Sequence, residues 1–219
     1  MLTNGWETDG HVHEVTHDKI HRSLHTIDPE TFTIGNRTDL FALCREVLQC
    51  KSFVLRHNYI CSECDKLIES EKQMYPWWYV TSSKHTQISR LLKNEWSDKL
   101  QNRTQCPSCQ GQIIMTTQFN KNHPPIICIS IGNENVQITA SLSIQFSETI
   151  SGIRYRLCGI IYHGNFHFTA RLIDKTMNTY YYDGIKTGPE CILEGKFNTI
   201  ENVYEVDQRK ASTLVYTLL

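Results

Sequence analysis

The period of the apolar positions changes part-way along the chain, and that change predicts its architecture. Up to about residue 60 the pattern reads as helical. Leu40, Phe41, Cys44, Val47 and Leu48 recur at i, i+1, i+4, i+7 and i+8, the spacing of a helix with one buried stripe. Ile88, Leu91, Leu92, Glu95 and Trp96 predict a second helix. From about residue 112 the period falls to two. Gln112 to Phe119 and Ile126 to Ile131 read as strands, and Val136, Ile138, Ala140, Leu142, Ile144 and Phe146 alternate with polar neighbours. Ile153 to Tyr162, Phe166 to Asp174 and Thr179 to Asp183 continue the series. The expected fold class is α+β, helices first and then a largely antiparallel sheet, with no internal repeat.

Composition narrows the class. The chain has 219 residues, 40% of them hydrophobic, ample for a folded core of one domain or somewhat more. Its 22 basic and 23 acidic residues balance, which argues against a general nucleic-acid or membrane-surface binder. No run of about 18 apolar residues predicts a membrane-spanning helix. The first residues, Met1-Leu2-Thr3-Asn4-Gly5-Trp6-Glu7, lack the basic and apolar regions of a secretory signal, so the expected location is cytoplasmic or nuclear. The Asn36 and Asn102 sequons are then expected to carry no glycan. Of His11, His13, His17, His21 and His25 the last four recur every four residues, so two neighbours on one helix face could share a metal, but the stripe drifts and all four cannot reach one ion; the segment 1–37 reads as a helical or poorly ordered, solvated His-rich arm.

The cysteines change the picture most. Of nine, four form the pairs Cys61-x-x-Cys64 and Cys106-x-x-Cys109. Two residues between thiolates let one tight turn aim both sulfurs at a tetrahedral ion, and two such turns complete a closed four-cysteine shell. The expected cofactor is a structural Zn2+, with the intervening residues folded as a subdomain. Cys44, Cys128 and Cys158 lie within apolar patterns and are expected to be inert core residues. Cys50 and Cys191 lack the helix-N-terminal setting that would activate a thiol.

A second constellation lies further on. Along the strand after Phe166, the residues His167, Thr169 and Arg171 share one face. If the hairpin turns at about Thr176, Thr169 falls opposite Asp183, and His167 becomes a diagonal neighbour of that carboxylate. A carboxylate beside an imidazole fixes its tautomer for general-base work. An ordinary polar sheet face is the other reading, and a one-residue slip in register would separate the two.

The order of these features resembles the ubiquitin-specific peptidase (USP) family: two C-x-x-C pairs, a helix-containing insert, an antiparallel sheet, and the series Tyr155-x-Leu157, His163-Gly164, His167-Phe168 and Tyr180-x-Tyr182-Asp183. The resemblance spans roughly Tyr59 to Ile185. It implies a portion of a papain-like cysteine peptidase fold, with zinc-binding fingers at about 59–120 and a palm sheet at about 121–219, inside a domain running from 38 to 219. It also implies ubiquitin or a ubiquitin-like protein as partner, with His167 in the place of the catalytic His and Asp183 in that of the orienting acid. Cys61, Cys64, Cys106 and Cys109 take the places of the metal ligands.

Two departures accompany the resemblance. Phe166 stands where the family usually has Gly before the His. The family's cysteine box is not found upstream of Cys61; Gly35-Asn36-Arg37-Thr38 carries Thr at the nucleophile's place. Without a thiolate, His and Asp have nothing to activate. The expectation is therefore a deubiquitinase-like domain in truncated or inactive form, with a non-catalytic zinc-stabilised binding module as the alternative. A third reading takes Trp77, Trp78 and Tyr79 as stacking platforms for single-stranded nucleic acid.

Overall fold

The computed structural model describes residues 22–33, 54–81, 87–98, 105–120, 123–132, 136–144, 152–188 and 190–219, with a few single positions before residue 54. Leu40, Phe41, Cys44 and Val47 of the stripe around Cys44 and the His stripe before residue 22 lie outside the described residues, as does Cys50. What is described is mostly β-sheet.

Two sheets carry the fold. The smaller has three antiparallel strands in the order β2-β1-β4, with β1 at Leu55–Cys61, β2 at Leu67–Gln73 and β4 at Ile113–Phe119. In β1 the alternate residues Leu55, His57, Tyr59 and Cys61 are all buried, whereas β2 is an exposed edge. Residues 55–60, expected to be helical, are thus strand. Their alternation of apolar and polar side chains is the period of a half-buried strand.

The larger sheet runs β10-β9-β8-β7-β12-β5-β3, with β6 paired to β7 and β11 to β12. Its strands are β3 Trp77–Val80, β5 Ile126–Ile131, β6 Ser141–Ile144, β7 Ile153–Gly164, β8 His167–Ile173, β9 Asn178–Tyr182, β10 Ile192–Lys196, β11 Glu205–Val206 and β12 Arg209–Leu218. β12 lies between β7 and β5 and binds both antiparallel. It fills the middle of the sheet with Leu214 and Tyr216, both fully buried. β3 pairs parallel to β5, so part of the insert between the two cysteine pairs belongs to the large sheet. There Trp77 donates its indole N–H to Ser130 Oγ at 2.8 Å, and Trp78 is buried. Of the three aromatics read as stacking platforms, the buried Trp78 cannot serve as one, whereas Tyr79 is exposed.

The helix α1 (Ile88–Asp98) lays Ile88, Leu91 and Leu92 on the core, as its period predicts. In the stretch expected to be one strand from Val136 to Phe146, the alternate burial of Val136, Ile138, Leu142 and Ile144 holds. The ladder itself is confined to Ser141–Ile144, and Phe146 lies outside the described residues. The larger core cluster joins both sheets, from Val54 and Leu55 through Trp78 and Ile129 to Tyr155, Leu157, Ile160 and Leu214, and a second, small cluster gathers Leu24, Phe32 and Ala42.

The hairpin between β7 and β8 places the first site residue. Gly164 pairs with His167, so only Asn165 and Phe166 make the turn, with φ of 52° and 58°. Two successive left-handed residues are the turn that suits the twist of a two-residue hairpin, and Asn-Gly is its preferred pair. Phe166 adopts the glycine conformation with a side chain that is 78% exposed. The left-handed region costs an L-residue about 1 kcal/mol or more. Phe166→Gly is accordingly expected to raise the urea midpoint, by a stabilisation of about 1 kcal/mol, and an unchanged or lowered midpoint would show that the Phe ring compensates through its contacts.

Candidate active site and metal centre

β8 and β9 pair with Ala170 opposite Tyr182, Arg171 opposite Tyr181 and Ile173 opposite Thr179. Continued by one step, this register sets Thr169 against Asp183. Thr169, Arg171 and Ile173 are buried on one face of β8, and His167 is the next residue of that series toward the turn. Its side chain is 22% exposed, that of Asp183 0%. The two are brought together at 2.8 Å, between His167 Nε2 and Asp183 Oδ1.

The protonation pattern follows from the surroundings of the carboxylate. Asp183 Oδ1 also accepts the backbone N–H groups of Ile185 at 3.0 Å and Lys186 at 3.2 Å. The loop that supplies them is closed by Thr187, which donates its backbone N–H and its hydroxyl to the Asp183 carbonyl at 2.7 and 2.9 Å. Burial opposes charge on Asp183, but the hydrogen bonds from His167, Ile185 and Lys186 outweigh it and hold the carboxyl down at about 2. An ionised carboxylate only accepts, so His167 Nε2 carries the hydrogen. Nδ1 is then the basic nitrogen, and it makes no hydrogen bond to any described residue.

This depression sets an acid limit. The folded pKa lies below the ordinary value of about 3.9, so the stability contributed by Asp183 is complete above about pH 4 and is lost as pH falls through about 2. Urea midpoints measured between pH 5 and pH 2 should fall less steeply in Asp183→Asn than in the unaltered chain. Parallel curves would mean that the carboxylate is not held in this way.

The second site is built from two equivalent turns. Cys61 ends β1; its carbonyl accepts the N–H of Asp65, and its own N–H goes to the Lys66 carbonyl. Cys106 repeats this with Gln110 and Gly111. Asp65 and Gln110, each just after the second cysteine of its pair, have φ of 52° and 62°. A Cβ on Gly111 would sit 2.4 Å from Glu63 Cγ and 3.0 Å from Cys61 Sγ, so glycine is what lets the second turn close against the first. The four sulfurs of Cys61, Cys64, Cys106 and Cys109 all lie within 4.8 Å of one another, with Cys61 to Cys109 at 3.4 Å and Cys64 to Cys106 at 3.9 Å. Tetrahedral zinc with Zn–S bonds of about 2.3 Å would need sulfurs about 3.8 Å apart. The cluster can hold a metal ion of that kind.

Two of the other described thiols, Cys128 and Cys158, lie within the large sheet. Cys128 is buried in β5. Cys158 gives its thiol to the Val215 carbonyl at 3.4 Å, and burial pushes it up to about 11. By register it pairs near Ile173, six positions along β7 from Gly164 and about 20 Å from the His end. Cys191 is raised by burial.

No protein-family model matches the chain, and no curated protein matches it by sequence. Solved structures do. A SAGA DUB module of Ubp8, Sgf11, Sus1 and Sgf73 bound to monoubiquitin contains a chain that superposes with a TM-score of 0.54 at 13% identity, covering 97% of this chain and 48% of the other. A form of the module whose Sgf11 lacks its zinc finger gives 0.53 at 13% identity, over 94% and 50%. A third module structure gives 0.52 at 14%, over 94% and 47%. The fold is USP-like. The chain spans about half the length of the solved chains it matches. Within the USP-like fold, sequence reasoning missed the residues that surround the His–Asp pair: Tyr181, Lys186 and Asp207, and the Arg171–Glu194 pair beneath. Among the described residues no helix is long and apolar enough to cross a membrane.

Proposed function

We propose that this chain is the fingers-and-palm portion of a USP-type deubiquitinase-like domain that grips ubiquitin or a ubiquitin-like protein. Cys61, Cys64, Cys106 and Cys109 hold a structural Zn2+ that shapes the fingers. In the thiol-dependent hydrolysis that the resemblance implies, His167 takes the proton of a thiol through Nδ1 and later returns it to the leaving amine, while Asp183 fixes the imidazole. The observation that carries the reading is the orientation of His167 on a USP-like fold: Nε2–H spent on a buried carboxylate, Nδ1 left for a proton.

A second reading is a zinc-stabilised binding module with no catalytic task. What favours it is that Cys128 and Cys158 sit in the large sheet, away from His167, so neither offers His167 a thiol to activate. Both readings are tested by incubating the purified chain with ubiquitin that carries a thiol-reactive carboxyl-terminal group. A covalent adduct on a single cysteine supports the peptidase and names its nucleophile. Non-covalent binding without adduct, unchanged in His167→Ala, supports the module. Absence of binding overturns both.

A further inference from the structure

We infer that Asp207, on the turn joining β11 to β12, is a positioning residue for the His167–Asp183 pair: it takes the one phenolic proton of Tyr181 and so leaves the Asp183 carboxylate directed at His167. The inference deepens the His–Asp reading above and rests on it for its catalytic meaning.

Tyr181 of β9 lies two residues before Asp183, which directly follows the strand, so both side chains point to the same side. Its hydroxyl stands between two carboxylates, 2.9 Å from Asp207 Oδ2 and 3.4 Å from Asp183 Oδ2. A phenol has one proton to give, and O–H···O bonds are shorter than about 3.0 Å. The proton therefore belongs to Asp207. Lys186 reinforces the division, giving its backbone N–H to Asp183 Oδ1 at 3.2 Å and its ammonium to Asp207 Oδ2 at 2.7 Å. Hydrogen bonds from Lys186 and Tyr181 hold the Asp207 carboxyl below its ordinary range. Arg209 Nη1 is 4.0 Å away, and Thr169 of β8 is buried on the face that carries His167.

Asp207 is held in place by backbone. Val206 pairs with Arg209, so Asp207 and Gln208 make a two-residue turn with φ of 49° and 62°. This turn sits against the end of the β7–β8 hairpin: a Cβ on Gly164 would come within 3.1 Å of the Gln208 carbonyl oxygen and 3.2 Å of Arg209 Cα. Two hairpin tips and the loop 184–188 thus meet where His167 begins β8. Remove the Asp207 carboxylate, and the carboxylate left within reach of the Tyr181 proton is that of Asp183, whose Oδ2 lies 3.4 Å away. Asp183 then takes a fourth donor beside His167, Ile185 and Lys186, and its bond to His167 Nε2–H weakens.

The test is proton NMR of the Nε2-bound hydrogen of His167 in the ¹⁵N-labelled chain, read as chemical shift and solvent exchange rate. Asp207→Ala should move the resonance upfield and speed exchange by roughly fivefold, the scale of one redirected hydrogen bond. Adding Tyr181→Phe removes the competing donor and should restore the original signal. If the double variant stays shifted, loss of the Asp207 charge alone explains the change and the inference fails. Tyr181→Phe alone deletes only a hydroxyl and should leave the signal where it was. A shift there would overturn the inference, because Tyr181 would already be donating to Asp183. Absence of a slowly exchanging Nε2 proton in the unaltered chain would refute the His–Asp reading itself, a result distinct from the other two.

Discussion

Cys61→Ser or Cys106→Ser is expected to abolish metal binding and to unfold the outer half of the three-stranded sheet while the nine-stranded sheet persists. Both cysteines are fully buried, and each begins one of the two equivalent turns. Without an ion, four thiols packed within 4.8 Å gain only weak mutual hydrogen bonds, and the turns have little else to hold them together. Ser62 reaches the Gln112 carbonyl and Lys66 the Ser108 hydroxyl, but both contacts are exposed. Structural zinc contributes on the order of 10 kcal/mol in small zinc domains at neutral pH, and that binding free energy is folding free energy. The purified chain should contain one zinc per molecule by elemental analysis. On chelation, amide exchange should accelerate in β1, β2 and β4 and stay slow in β7 and β12. A metal-free chain with protected β1 and β4 amides would show that the thiols alone suffice, and the Zn2+ assignment would fall.

The contrast between the two sheets also explains what can be read from the sequence. β5, β7, β8 and β9 are legible because each either alternates or forms an apolar run between turn residues. The register that sets Thr169 against Asp183 is legible because the turn announces itself. Asp174 accepts hydrogen bonds from the backbone N–H groups of Thr176 and Asn178 and from both of their side chains, at 2.8 to 2.9 Å. An aspartate followed by such partners is a local turn device. β2 is not legible, since Leu67-Ile68-Glu69-Ser70-Glu71-Lys72-Gln73 is an exposed edge with no apolar face to reveal its period. The parallel pairing of β3 with β5 is set by tertiary packing some 50 residues away in sequence, which no local pattern encodes. The left-handed Phe166 is hidden for the opposite reason: Phe is a poor turn residue, and the hairpin imposes its conformation. The contact of Tyr181 with Asp207 spans 26 residues and depends on where β12 lies, a strand whose central place follows only from pairing on both sides.

Glu194→Ala is expected to destabilise the protein by about 3 kcal/mol, far more than loss of a surface ion pair. Arg171, on β8 four residues beyond His167, is buried, and Glu194 of the edge strand β10 grips it in two parallel bonds, Nε to Oε2 at 2.8 Å and Nη2 to Oε1 at 3.0 Å. The remaining guanidinium nitrogen reaches Tyr162 Oη at 3.1 Å, and Tyr162 in turn donates to the Val203 carbonyl at 2.9 Å. A planar fork matched to a carboxylate gives direction as well as energy. Removing Glu194 leaves a guanidinium that cannot lose its proton stranded among buried groups, and that desolvation supplies most of the expected loss. Removing both charges should be mild: Arg171→Met with Glu194→Leu is expected within about 1 kcal/mol of the original. Urea denaturation of the two single variants and the double variant separates the cases. If Glu194→Ala costs no more than a few tenths of a kcal/mol, on the scale of an exposed pair, then solvent screens Arg171 and the pair does not fasten β10. If it costs about 3 kcal/mol and the double variant recovers, the pair fastens the edge of the sheet. The strand it fastens, β10, is paired to β9, and β9 leads directly into Asp183. The same double variant should then loosen the loop 184–188, seen as faster amide exchange at Ile185 and Lys186, even though its overall stability is recovered.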